Sequence, residues 1–283
     1  MTISANAIEN AFTVDLEDWY QGLEIEATEW GRFEDRIHIG TERLLDLLAA
    51  ARVNATFFVL GHVAEHHPDL VRSIHAAGHE IGTHGYAHQF VYQLGREAFK
   101  QDLILSLEHL DRAVGASVAG HRAPFFSITA AADWAFDVLA ECGLTYDSSV
   151  FPVRNYRYGI PDAPRWPFEV RDGLTELPLS TLCAAGRKIP LGGGAYFRIF
   201  PYAVTRYGLR QINASGNAAI FYIHPWELDP AHPRIDLPRR IGVTHYWNLG
   251  ASEDRLRRLL ADFCFTTMSA VVEGWQALRQ RPS

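Results

Sequence analysis

The chain has 283 residues, of which 48% are hydrophobic and 12% aromatic, and its formal net charge is −7. No apolar run approaches the ~20 residues that span a bilayer, and an acidic chain without long like-charge blocks is not a general binder of nucleic-acid phosphates. The three cysteines are widely spaced and the N-terminus lacks the features of a secretory signal, so we expect a cytoplasmic protein without a disulfide framework.

Short apolar strands alternate with helices along most of the chain. Strands are predicted at FTVDLE (12–17), ATFFVLG (55–61), EIGTH (80–84), VAGHRAP (118–124), LTELPLS (174–180) and AAIFYIHP (218–225). Helices are predicted over 41–53, 67–79, 96–115, 129–143 (opened by Thr129), 202–216 and 252–263 (capped by Ser252). This serial order predicts an α/β protein with a mainly parallel sheet, either a barrel or a doubly wound sheet.

Proline-rich and arginine-rich stretches interrupt this period at 153–167 and 227–240, and we expect ordered surface loops there. The segment PLGGGAYFR (190–198) lacks the Lys-Ser/Thr ending of a phosphate-binding loop and is predicted as a flexible turn. Since no stretch resembles a linker, the sequence predicts a single domain over 1–283.

Polar residues follow the predicted strands, at the edge where parallel sheets collect functional groups. VDLED places Asp15, Glu17 and Asp18 at the end of an apolar strand, where charge is costly unless it is paired or metal-bound. His84 and His88 are four residues apart, and a helical turn there would aim both imidazoles at one ion. The alternatives are an acidic helix N-terminus for VDLED and two ordinary surface histidines.

Taken in chain order, these clusters resemble the motifs of the NodB-like polysaccharide deacetylases, carbohydrate esterase family four. VDLED resembles their acidic first motif, His84 to His88 the second, RAPFF (122–126) the third, YDSS around Asp147 a reduced fourth, and YIH ending at His224 the fifth. The wording of several stretches, SSVFP and FYIHPWE among them, is more similar still to the subgroup associated with exosortase and exopolysaccharide loci. The resemblance covers about 12–263.

The resemblance implies a distorted (β/α)7 barrel with a core of about 12–230, and a C-terminal extension of about 231–283 packed on the same domain. It also implies a divalent ion, usually Zn²⁺ or another such as Co²⁺ or Ni²⁺. His84, His88 and one carboxylate of the first motif would hold this ion. For that carboxylate we favour Asp18 over Glu17, because its side chain is shorter.

Three catalytic roles also follow from the resemblance. Asp15 is the general base for the attacking water, Arg122 orients Asp15 and keeps it ionised, and His224 protonates the leaving amine. Residues expected to bind the substrate are Trp19, Pro124, Phe125, Phe126, Asp147 and Trp226, although most buried aromatic side chains are simply core.

The implied function is metal-dependent removal of N-acetyl groups from an N-acetylhexosamine-containing saccharide in cell-surface or exopolysaccharide synthesis. A cytoplasmic protein would meet such a saccharide on a lipid or a nucleotide carrier. Two alternatives stay open: hydrolysis of a non-sugar amide, as in allantoinase-like relatives, and a glycan-binding pseudoenzyme. A tightly bound metal counts against the first, and an intact set of base, ligands and acid counts against the second. The oligomeric state is not predicted.

Overall fold

The computed structural model describes residues 8–184 and 186–279. Its strands are β1 (Glu9–Leu16), β2 (Thr56–Val59), β3 (Glu80–Thr83), β4 (Gly120–His121), β5 (Tyr146–Asp147), β6 (Phe168–Arg171), β7 (Leu174–Glu176), β8 (Thr181–Ala184), β9 (Arg187–Pro190), β10 (Ile220–Ile223) and β11 (Cys264–Thr266). Its α-helices are α1 (Ile37–Ala51), α2 (Gly61–His66), α3 (Pro68–Ala76), α4 (Val91–Leu94), α5 (Arg96–Val114), α6 (Trp134–Glu141), α7 (Gly194–Ile199), α8 (Tyr202–Ala214), α9 (Arg239–Tyr246), α10 (Ser252–Asp262) and α11 (Met268–Arg279). Short 3₁₀ helices occupy Ala27–Arg32, Pro124–Phe126, Ala130–Ala132, Pro225–Leu228 and Leu249–Ala251.

One large sheet organises the described residues. Its parallel strands follow the order β10-β1-β2-β3-β4-β5-β7, with β6 antiparallel at the β7 edge and β11 parallel to the start of β1. Helices precede or follow most of these strands, as right-handed β-α-β connections require. The mixed α/β fold around a parallel sheet, predicted from the sequence, is confirmed.

The two ends of the parallel sheet, β7 and β10, form no ladder with each other among the described residues, and single hydrogen bonds span the gap. The Tyr222 N–H donates to the carbonyl of Gly192 at 2.6 Å, and the Ile220 N–H donates to the Ser180 hydroxyl at 2.7 Å. Gly193 also pairs with Tyr222 as an isolated parallel bridge. These contacts close the seven parallel strands into a distorted barrel.

The closure requires a glycine at position 193. A Cβ on Gly193 would lie 1.8 Å from the backbone oxygen of Tyr222, and the φ of Gly193 is +134°, which only glycine adopts freely. Helix α7 begins at the next residue. The flexible turn predicted from PLGGGAYFR is therefore wrong, because this segment is a tightly packed part of the barrel wall.

Two predicted helix starts are also wrong. A separate 3₁₀ turn follows Thr129, and α6 begins only at Trp134. Ser252 is the first residue of α10 rather than its cap, and its buried hydroxyl has no hydrogen-bond partner within the described ranges. The predicted irregular segments 153–167 and 227–240 are confirmed for most of their length, with α9 beginning at Arg239.

The C-terminal segment packs at the end of the sheet where the strands begin. Strand β11 pairs with Glu9–Ala11 of β1, and Met268 at the start of α11 packs into a cluster with Ala11 and Phe58. The Ser269 N–H donates to the Glu80 carboxylate at 3.2 Å. The division into a core and an extension stays a prediction. None of the helices that the structure describes has the length and apolar character needed to cross a membrane.

Helix α1 passes so close to the turn after β10 that only glycine fits at the crossing. A Cβ on Gly40 would lie 2.0 Å from the Pro225 carbonyl oxygen. We expect Gly40→Ala to lower the free energy of unfolding by about 1–3 kcal/mol, because the methyl group displaces the helix or the turn.

Urea unfolding measures this change. Gly274→Ala in α11 is the matched control, since no atom lies within 4 Å of its Cβ position. That control should leave stability unchanged or raise it by up to ~1 kcal/mol. Equal stabilities of the two variants would contradict the close crossing.

Candidate active site

The carboxyl ends of the parallel strands bring the polar motifs into one cavity. Asp15 and Glu17 come from the end of β1, His84 directly follows β3, Arg122 follows β4, and His224 follows β10. The cavity measures about 790 Å³, including the space open to solvent, and is lined by Asp15, Glu17, His84, His88 and His224 among others. The convergence expected from strand order is therefore present.

Glu17, His84 and His88 form a buried cluster whose three ligand atoms all lie within 4.8 Å of one another. The Nδ1 atom of His84 lies 2.7 Å from the Arg122 carbonyl oxygen. Since a carbonyl only accepts, Nδ1 carries the proton and Nε2 keeps its lone pair for the cluster. Burial lowers the pKa of His84 to about 4, despite the opposing charge of Asp15. His84 is thus neutral at physiological pH, as a metal ligand must be.

The cluster has the features of a site for a cation. Glu17 Oε2 and His88 Nε2 lie 2.7 Å apart, yet Glu17 Oε2 has no hydrogen-bond partner within the described ranges. Burial raises the pKa of the Glu17 carboxyl, but His88 and His224 outweigh that effect and the net pKa is well below the ordinary value. A buried, ionised carboxylate oxygen beside two imidazoles fits a divalent ion.

The preference for Asp18 as the metal carboxylate is corrected by this geometry. Asp18 Oδ1 accepts the Trp19 N–H and Oδ2 accepts the Arg36 N–H, each at 2.7 Å, so its carboxylate is used elsewhere. Asp15 and Glu17 are two residues apart and face the cavity together, as alternate residues of an extended chain do. The alternation of side chains along an extended chain, rather than side-chain length, therefore identifies Glu17 as the candidate metal carboxylate.

The helical turn expected between His84 and His88 is likewise wrong. Residues 84–90 form no helix, and His88 has a φ of +50°, which is unusual for a residue with a side chain. The loop conformation, set by tertiary contacts, brings the second imidazole to Glu17.

Arg122 fixes the proposed base. Its guanidinium donates to Asp15 Oδ1 and to the Thr13 hydroxyl, both at 2.7 Å, and to the carbonyl and hydroxyl of Ser148 at 3.1 and 3.0 Å. The side chain is fully buried, and its charge lies 4.3 Å from the centre of the Phe58 ring. With Oδ1 held in this way, the Asp15 carboxylate has one defined orientation towards the cavity.

His224 lies close to the carboxylates of both Asp15 and Glu17. Its Nε2 lies 4.0 Å from Asp15 Oδ2 and 3.7 Å from Glu17 Oε1, and its Nδ1 lies 2.8 Å from Glu227 Oε1. Burial lowers the pKa of His224, but Glu17, Glu227 and Asp15 together raise it, and the resulting pKa is about 9. In the metal-free protein the imidazole is therefore protonated at neutral pH.

Glu227 contacts His224 and was not identified by the motif comparison. It is fully buried, its other oxygen accepts the Arg198 Nε–H at 2.5 Å, and it forms a capping box with the backbone of His224. The sequence did carry a signal: HPWE has proline after a strand-end histidine and an acid three residues after it.

Asp147 does not reach His224. Its Oδ1 lies 2.6 Å from His121 Nδ1. The two residues are paired on the neighbouring strands β4 and β5, and both side chains are fully buried. Burial raises the pKa of Asp147, but hydrogen bonding and the charge of His121 outweigh it and lower the net pKa. The carboxylate that contacts His224 Nδ1 is Glu227.

The expected substrate-binding residues divide into two groups. Phe125, Phe126 and Trp226 line the cavity, and Phe125 contacts the ring edge of His88 with centroids 4.3 Å apart. Three others do not line it and are corrected: Trp19, Pro124 and Asp147. All three are buried, and the Trp19 indole N–H donates to the carbonyl of Glu34 at 3.0 Å. These three side chains are therefore part of the protein interior next to the motifs and do not form the cavity surface.

Comparisons with known proteins divide the chain into two halves. Residues 30–146 match the family described as polysaccharide deacetylase, and residues 148–273 match a domain of unknown function, DUF3473. The candidate ligands His84 and His88 fall in the first match, whereas His224, Glu227 and Arg198 fall in the second. One cavity therefore contains residues from both matched regions.

Curated relatives match about a third of the chain. A peptidoglycan-N-acetylglucosamine deacetylase of Bacillus cereus is 35% identical over 88 residues, which cover 31% of this chain and 32% of the relative. A chitooligosaccharide deacetylase of Sinorhizobium fredii is 36% identical over 100 residues, covering 35% of this chain and 44% of the relative. The chain thus spans less than half the length of these relatives.

A crystal structure from Mycobacterium smegmatis, described as a candidate polysaccharide deacetylase, matches over the whole length. It is 25% identical, covers 100% of this chain and 95% of its own, and has a TM-score of 0.65. The barrel described above, including both matched regions, is therefore shared with this structure.

Glu227→Gln should lower the pKa of His224 in the metal-free protein, because it removes a negative charge while keeping an acceptor at 2.8 Å. The raised pKa also determines the sign of a stability effect. The contribution of His224 to the free energy of unfolding is fully present below its ordinary pKa of 6.5 and is lost as pH rises through the folded-state pKa of about 9.

A titration of the imidazole resonances of the metal-free protein by NMR measures the pKa directly. Glu273→Gln, which removes an exposed carboxylate from α11, is the control and should leave the pKa of His224 unchanged. An unshifted His224 in Glu227→Gln would mean that Glu227 does not set its charge.

Proposed function

We propose that this chain is a metal-dependent hydrolase that removes N-acetyl groups from an N-acetylhexosamine-containing saccharide. The premise is that residues 30–146 belong to the polysaccharide deacetylase family. One observation carries the proposal. A buried Glu17, His84 and His88 cluster faces the same cavity as Asp15 and His224. This is the donor set of a catalytic metal site, with an acid and a base on either side.

Glu17, His84 and His88 would hold the ion. Two neutral imidazoles and one carboxylate are a common donor set for catalytic Zn²⁺, and Co²⁺ or Ni²⁺ accept the same donors. A bound divalent ion supplies a Lewis acid that polarises the acetamide carbonyl and lowers the pKa of the attacking water.

Asp15 is proposed as the general base. Arg122 holds its Oδ1 at 2.7 Å, which leaves Oδ2 to accept the proton of the attacking water. Because Arg122 is anchored at four acceptors, the carboxylate is positioned before the substrate arrives.

His224 is proposed as the general acid. Nδ1 of His224 donates to Glu227 at 2.8 Å, so in the protonated imidazole Nε2 carries the second proton and faces Asp15 and Glu17 in the cavity. Expulsion of the sugar nitrogen as an unprotonated anion is prohibitive, so the leaving amine must receive a proton as the carbon–nitrogen bond breaks. His224 Nε2 lies 4.0 Å from Asp15 Oδ2, so the proposed acid and the proposed base are neighbours in the cavity.

The substrate class is supported by the relatives and by the cavity wall. The two curated relatives are named for deacetylation of peptidoglycan N-acetylglucosamine and of chitooligosaccharide. Phe125 and Trp226 supply aromatic surface of the kind on which sugar rings pack. A role in exopolysaccharide synthesis, the lipid or nucleotide carrier and a cytoplasmic location stay predictions from the sequence.

Acetate release tests the function. Purified protein is incubated with chitooligosaccharides and with allantoin, after chelation and after addition of Zn²⁺, Co²⁺ or Ni²⁺. The proposal expects acetate from the N-acetylated saccharide that disappears with chelator and returns with metal. Hydrolysis of allantoin without acetate release, or no turnover in any metal-loaded sample, would contradict it.

Glu17→Gln should weaken Zn²⁺ binding by about 100-fold or more, whereas Asp18→Asn should keep an affinity within a few-fold of the unaltered protein. Glu17→Gln removes a negatively charged ligand of the ion and therefore lowers the affinity directly. The Asp18 carboxylate, in contrast, accepts hydrogen bonds only from backbone N–H groups. Competition against a chromophoric chelator measures both affinities without relying on turnover. The reverse order of the two affinities would restore Asp18 as the ligand.

Asp15→Asn should lower kcat by about 10²–10⁴-fold while leaving the metal affinity intact, because the amide cannot accept the water's proton. Acetate release and metal content are measured on the same preparation. A metal-loaded Asp15→Asn protein with a near-normal rate would exclude Asp15 as the base.

A further inference from the structure

We propose that a basic groove beside the candidate active site binds a negatively charged segment of the glycan that carries the N-acetyl group. The groove lies between the β8–β9 sheet and the loop of residues 152–162, and it measures about 1,260 Å³, including the space open to solvent. The inference rests on the proposed function, because it specifies the charge of that same substrate.

The two walls of the groove are fastened together by the protein itself. Lys188 Nζ, on β9, donates to the carbonyls of Pro161 and Ala163 at 2.7 and 3.0 Å. Arg165 Nε donates to the hydroxyl of Thr181, on β8, at 3.0 Å. The groove is therefore built before any ligand binds, which reduces the ordering cost of binding.

Two arginines on facing walls give the groove its charge. Arg154 lies on the loop wall and Arg187 on the sheet wall, and both are exposed. Neither forms an ion pair with a carboxylate in the part of the chain that the structure describes. With Lys188, the lining has three cations against one carboxylate, Asp162, in a chain whose net charge is −7. Such a local excess of positive charge attracts anions.

The chemistry of the two free side chains favours oxyanions. A guanidinium presents a planar set of donors that matches carboxylate and phosphate groups, and each charge-assisted bond is stronger than a neutral one. Because both guanidinium groups line the same groove, a ligand bound there with several carboxylate groups would meet both of them. Acidic sugars such as uronates carry such a group on every unit.

The groove adjoins the catalytic cavity through one loop. Arg157 and Tyr158 line the catalytic cavity, whereas Arg154, three residues earlier, lines the groove. The Tyr158 hydroxyl lies 2.8 Å from the hydroxyl of Tyr196, which lines the groove side. A glycan with its acetamide in the cavity would cross this tyrosine pair and continue between the arginines.

Calorimetric binding to metal-free protein tests the inference without turnover. The ligands are hyaluronan and heparosan oligosaccharides, in which N-acetylglucosamine alternates with glucuronate, and a neutral chitooligosaccharide of equal length. The variant is Arg154→Gln/Arg187→Gln, and the control with the same change of charge is Arg72→Gln/Arg257→Gln, two exposed arginines on other helices.

The groove variant should lose about tenfold or more in affinity for at least one acidic oligosaccharide and little for the neutral one, with the control variant unchanged. Absence of a preference for acidic ligands in the unaltered protein, or equal losses for acidic and neutral ligands, would overturn the inference. So would equal losses in the groove and control variants. Acetate release from the neutral oligosaccharide reports separately on the proposed function, so either idea can fail alone.

Discussion

The buried guanidinium of Arg122 is the interaction on which the candidate site depends. A fully desolvated cation is tolerated only when its donors are satisfied, and here they reach Thr13 and Asp15 on β1 and Ser148, which directly follows β5. The Arg122 carbonyl also accepts the His84 Nδ1 proton. One residue therefore orients the proposed base and sets the tautomer of a proposed ligand. Removing it would leave the buried Asp15 charge unpaired, at a cost of about 3–5 kcal/mol.

A second buried arginine has a parallel role on the acid side. Arg198 binds Glu227, which in turn holds His224, and its remaining N–H groups donate to the carbonyls of Thr244, His245 and Trp247 at 2.7 to 3.0 Å. The end of α9 is thereby tied to the orientation of the acid. The region matched by a domain of unknown function thus completes the cavity, because His224, Glu227 and Arg198 all belong to it.

The fold was predictable because a parallel sheet imposes a simple pattern of buried strands alternating with amphipathic helices. The same regularity brought Asp15, His84, Arg122 and His224 together from their positions at strand ends. The choice between Glu17 and Asp18 was also within reach, since alternation along an extended chain puts residues 15 and 17 on one face. Side-chain length was the wrong criterion. Glu227 was missed because its role depends on a turn that follows the strand.

Other features follow only from tertiary contacts. The loop from His84 to His88 has a residue at φ +50° that no local pattern indicates. Gly193 is interpreted as flexible from the sequence, yet glycine is needed there because a Cβ would lie 1.8 Å from the backbone oxygen of Tyr222. Asp147 satisfied the motif comparison but is paired with His121 behind the cavity wall.

The most direct test of the account is anomalous diffraction from crystals of the protein grown with Zn²⁺, recorded on both sides of the zinc absorption edge. One strong peak is expected, bounded by Glu17, His84 and His88 and facing Asp15 and His224. A peak coordinated by Asp18, or zinc bound elsewhere with this cluster empty, would contradict the central claim that these strand ends form a metal-dependent hydrolytic site.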